Sequence, residues 1–104
     1  MKDKIEFMRI TIAYPRQYLA FLNDKQVAYV RLRGGVLFAD APDLDGETIF
    51  EHHFDDKTKG CFEDNAEEGK YLLEIENAIT EWLHRNPDGG IVKTAEDILE
   101  EFYL

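Results

Sequence analysis

With 104 residues and one cysteine, the chain has room for a single hydrophobic core and cannot form an internal disulfide, which excludes a disulfide-stapled or two-domain architecture. Its 44% hydrophobic content is ordinary for a globular protein, so the formal net charge of −10 describes a surface rather than disorder. That charge is split: residues 1–34 hold seven Lys/Arg against three Asp/Glu, and residues 35–104 hold five against nineteen, a field that bears on solubility and partners and not on fold.

The first residues mix Lys2, Asp3, Lys4 and Glu6 and lack the apolar stretch of an export signal. No apolar run approaches the roughly 18 residues needed to cross a bilayer. Together with the lone Cys61, these features make the cytoplasm the expected location and leave no role for a membrane.

The apolar residues then come in short runs broken by turn signals. Met8, Ile10, Ile12 and Tyr14 alternate with Arg9, Thr11 and Ala13 as in a strand that Pro15 ends. Residues Tyr18 to Leu22 are apolar on both faces and predict a central strand, and Asn23-Asp24-Lys25 supplies the turn to a strand over Val27 to Arg33. Gly34-Gly35 is the strongest local signal. Two residues free to take positive φ fit a type I′ turn and predict a tight hairpin to Val36 to Asp40. After the polar loop Ala41 to Gly46, Glu47 to Phe54 alternates again, with Thr48, Phe50, His52 and Phe54 sharing one face.

The period then changes. Asp64 and Asn65 each precede a glutamate by three residues, Glu67 and Glu68, so either fits a capping box. Tyr71, Ile75, Ala78, Ile79 and Trp82 follow at helical spacing, widened by Leu72 and Leu83, until Asn86-Pro87 stops the helix. Thr94 and Asp97 form a further capping box ahead of Ile98, Leu99, Phe102 and Tyr103. The expected fold is therefore α+β: an antiparallel four- to five-stranded meander over about residues 5–54, with two C-terminal helices, about 65–85 and 94–103, laid on one face. The whole chain, 1–104, reads as one domain, and the opposite sheet face is expected to be open.

The residues that carry chemistry point away from an enzyme. Asp43-Leu44-Asp45-Gly46 resembles the middle of a calcium loop, but aligning its glycine puts Ala41 and His52 where the first and last ligands must be acidic. His52 and His53 are neighbours on a strand, so their imidazoles point to opposite faces and cannot share a metal. Cys61 has no helix N-terminus or basic cluster nearby to activate it, and free cysteines are more often small buried hydrophobes than nucleophiles; the sequence leaves open whether this one faces solvent. Neither Gly34-Gly35 nor Gly89-Gly90 has P-loop spacing. No catalytic, cofactor-binding or metal residue is assigned, and no cofactor is expected.

Two surfaces remain. Tyr29, Arg31 and Arg33 alternate onto one face of their strand, opposite Ala28, Val30 and Leu32. An aromatic with two guanidinium groups can clamp a single-stranded nucleic acid, but the acidic remainder of the molecule opposes that. The simpler reading pairs the two arginines across strands with Asp40, Glu47 or Glu51. The second surface is acidic, made by Glu67, Glu68, Glu74 and Glu81 with Glu96, Asp97, Glu100 and Glu101 of the last helix. Arrayed carboxylates imitate a phosphate backbone. The expected function is a small acidic, non-enzymatic protein-interaction module that binds a protein or a second copy through the Tyr29 face. The alternative is an acidic, DNA-mimicking inhibitor of a nucleic-acid-binding protein, of the kind mobile elements carry.

Overall fold

The computed structural model describes residues 4–11 and 15–93. Five strands, β1 (Ile5–Arg9), β2 (Arg16–Leu22), β3 (Lys25–Arg33), β4 (Val36–Ala41) and β5 (Glu47–His53), follow one another in space as they do in sequence, every neighbouring pair antiparallel. The helix α1 (Asn65–Arg85) comes next, then a two-residue strand β6 (Ile91–Val92) that pairs with Lys25 and Gln26 of β3. The α+β meander is as expected, and β6 is an addition too short to leave a periodic signal. The second expected helix, 94–103, lies outside the described residues.

The hairpins follow from their turn residues. Gly34 and Gly35 have φ of +59° and +77°, the two left-handed residues a type I′ turn requires, and they set Arg33 opposite Val36 and Arg31 opposite Phe38. Asn23 takes φ of +60° in the turn between β2 and β3. The sheet starts at about residue 5 as expected, but the first strand is Ile5–Arg9 and not the alternation that runs from Met8 to Tyr14. Ile5 and Phe7, rather than an alternation starting at Met8, supply its core-facing side, because the pairing of Ile5 with Leu22 and Phe7 with Ala20 sets the register. Charged Lys4, Glu6 and Arg9 between and beside them had masked that short alternation.

The main core lies between the sheet and α1. Tyr18, Ala20, Ala28, Val30, Leu32, Leu37 and Ala39 form the sheet side, and Ile75 and Ile79 enter from the helix, both fully buried. Trp82 is buried as well, against Gly89, and Tyr71, Leu72 and Leu83 flank the stripe. Asp64 is the N-cap and accepts the Glu67 N–H at 2.8 Å; the Glu67 carboxylate reaches back one residue further, to the Glu63 N–H at 2.9 Å. Asn86 closes the other end through N–H bonds to the carbonyls of Trp82 and Leu83.

The face away from α1 differs from the open surface expected of it. Ile10, Leu19 and Tyr29 form a second buried cluster there, with Phe21 and Phe38 half-buried against it. Leu19 has no exposure and Tyr29 only 3%. The physical reason was present in β2, whose run is apolar on both faces and which lies inside the sheet between β1 and β3.

Candidate functional site

The strand β3 positions the predicted residues as its alternation requires. Ala28, Val30 and Leu32 face α1, while Tyr29, Arg31 and Arg33 face the other way. They do not form one exposed patch. Tyr29 is buried, its hydroxyl donating to Gln17 Oε1 at 2.5 Å, and burial pushes its pKa up while the nearby Arg31 guanidinium pulls against that shift. Arg31 is half-buried, its guanidinium carbon 5.0 Å from the centre of the Phe38 ring, and Arg33 is exposed.

The expected cross-strand ion pairs of these arginines are not formed. Asp40 lies across from Tyr29 and accepts the Thr48 hydroxyl at 2.7 Å and the Asp45 N–H at 3.1 Å. Glu47 pairs with Arg85 at 3.2 Å, and Glu51 with His53 at 2.6 Å. Each carboxylate proposed for Arg31 or Arg33 is committed elsewhere, and neither arginine belongs to an ion pair among the described residues. Phe38 is the site residue that residue type alone did not single out. Its signal was the two-residue Gly34-Gly35 turn, which fixes Phe38 opposite Arg31.

The acidic surface is less uniform than its composition. Glu68 accepts hydrogen bonds from Tyr18 and, at 3.2 Å, from Arg16, tying α1 to β2. Glu67 pairs with Lys59 at 3.0 Å and is held below the usual carboxylate range first by the Glu63 N–H and then by that ammonium. Glu74 and Glu81 are exposed. Glu96, Asp97, Glu100 and Glu101 lie outside the described residues.

His52 faces α1, its ring centre 5.0 Å from that of Tyr71, while His53 lies on the other face, so the two imidazoles diverge. Asp43 accepts the Leu44 N–H at 2.8 Å and pairs with Lys93 at 3.3 Å. Among the described residues no three His, Cys, Asp or Glu side chains are grouped so as to hold a metal ion. Cys61, whose burial the sequence left open, is exposed, beside an open groove of about 290 Å³ that Lys59 and Phe62 also line. No helix among the described residues is long and apolar enough to cross a membrane.

Comparison with protein families, curated proteins and solved structures finds no match for this chain.

Proposed function

We propose that the chain is a small, acidic, non-enzymatic protein-interaction module whose contact surface is centred on Arg31, Arg33 and Phe38. The observation that carries this reading is the pair of arginines without a carboxylate partner among the described residues, one of them lying against an aromatic ring, on a molecule of net charge −10. Arginine stacked on an aromatic residue is the residue combination from which interface hot spots are built. Half-burial of Arg31 limits its rotamers, so less entropy is lost when a partner binds it. A protein partner with a carboxylate facing Arg33 suits this surface, and the Glu51 and His53 pair beside it on β5 gives the rim both signs of charge.

The test is affinity capture from cells that express the protein, with nuclease present, comparing the wild type with Arg31→Glu/Arg33→Glu and with Glu74→Lys/Glu81→Lys. The proposal predicts that one protein is retained by the wild type and the glutamate double variant and lost by the arginine double variant. Loss with the glutamate variant alone, the retained protein being a nucleic-acid-binding one, would replace it with the acidic-inhibitor reading.

A further inference from the structure

A second surface lies at the β1 edge of the sheet. Among the described residues no strand pairs with the outer side of β1. The phase of its backbone follows from one bond: the Ile10 N–H donates to the Gln17 carbonyl at 3.0 Å, in the same register as the β1 and β2 pairing. In an antiparallel pair this phase repeats every second residue. Glu6 and Met8 therefore spend their backbone groups on β2, while the N–H and C=O of Ile5, Phe7 and Arg9 point outward from the edge.

Beside this edge runs an open groove of about 540 Å³. Its floor and far wall are apolar: Ile5 and Phe7 from the strand, Leu72 and Leu73 from the helix. Leu73 is 58% exposed, a large apolar side chain that the fold leaves uncovered. Gly69, one turn earlier on the same helix flank, has no atom within 4 Å of where a Cβ would stand. A glycine inside a helix weakens it, and no contact among the described residues requires one here. What Gly69 leaves is a recess, in line with Leu73 and facing the edge.

We infer that this edge and groove receive an extended segment of a partner protein, which adds to β1 as a further antiparallel strand. An outward row of alternate N–H and C=O groups is complementary to a main chain, and the groove beside it takes every second side chain of that segment. Residues directly opposite Ile5 and Phe7 share their face, so these are apolar and enter the groove toward Gly69 and Leu73. The intervening positions share the face of Glu6, so the segment is basic there; Lys4 and Glu76 also line the groove. A second copy of this chain is disfavoured as occupant because it brings a net charge of −10 to a molecule that already carries it. This surface is separate from Arg31 and Arg33, and the two proposals stand or fall independently.

The experiment is a titration of ¹⁵N-labelled protein with an acetylated heptapeptide alternating lysine and valine, with a glutamate and valine peptide as control. The inference predicts saturable shifts at Ile5, Phe7, Arg9, Gly69 and Leu73. It also predicts at least about tenfold slower amide exchange at Ile5, Phe7 and Arg9, while Glu6 and Met8, already bonded to β2, change little. Leu73→Asn, whose melting temperature reports that the fold is kept, should weaken binding by at least about fivefold. Shifts scattered over the acidic surface without edge protection, an equal response to the glutamate peptide, no response at all, or a dimer through β1 in sedimentation of the protein alone would each overturn it.

Discussion

A Cβ at Gly35 would come within 2.5 Å of the Asp56 carbonyl oxygen, and the residue's φ of +77° is one that side chains oppose. Its N–H donates to the Lys59 carbonyl at 2.9 Å, and its own carbonyl accepts the Phe54 N–H at 2.7 Å, so the loop after β5 is closed over the hairpin at this point. Gly35→Ala is expected to cost about 2 kcal/mol or more, from the left-handed backbone and the displaced loop together. Gly69→Ala should do the reverse and stabilise by roughly 0.5–1 kcal/mol, since a helical alanine there meets nothing. Urea denaturation of both variants checks the pair; a similar loss in the two would mean that Gly69 is held by contacts of the fold. The dipeptide Gly34-Gly35 was legible as a turn because its conformational demand is local. The loop pressing on Gly35 was not, because Asp56 and Lys57 reach it only through the tertiary fold.

The link between sheet and helix is polar as well as apolar. Tyr18 of β2 and Glu68 of α1 share a hydrogen bond that Arg16 reinforces, and burial followed by the Glu68 carboxylate raises the Tyr18 pKa well above its ordinary 10.0. A raised value means stability that is whole below pH 10.0 and falls as pH rises beyond it. Glu67, at the start of α1, has the opposite sign: its depressed value gives stability present above its ordinary 4.5 and lost as the pH falls through the folded value. The urea midpoint should therefore be flat between these limits and decline on both sides. Tyr18→Phe should make the alkaline decline shallower, and Glu67→Gln the acid one. The bounds of α1 were legible from its caps and its stripe of Ile75, Ile79 and Trp82. The core-facing residues of β1 were not, since Ile5 and Phe7 are two apolar residues among charges and only pairing with β2 selects them.

Charge partition remains the clearest trait of the molecule, and the fold gives it a spatial meaning. The basic residues Arg31 and Arg33 stand on the sheet face away from α1, while exposed Glu74 and Glu81 belong to the helix. Alternation placed Tyr29, Arg31 and Arg33 on one face correctly, and the burial of Tyr29 was hidden because alternation tells sides apart without telling which is covered. The Glu51 and His53 pair also lay beyond sequence reasoning, which offered Glu51 to an arginine. If Arg33 meets a carboxylate of the partner, added salt should weaken the complex. A complex built on apolar contact alone would hold its affinity.

Amide hydrogen exchange on the complex with the captured partner would map the surface that this partner covers. The interaction-module account predicts protection concentrated at residues 31–38 of the β3 and β4 hairpin and at residues 49–53 of β5 facing it, with the exposed flank of α1 exchanging as in the free protein. Protection confined to α1 around Glu74 and Glu81, with residues 31–38 unchanged, would contradict it.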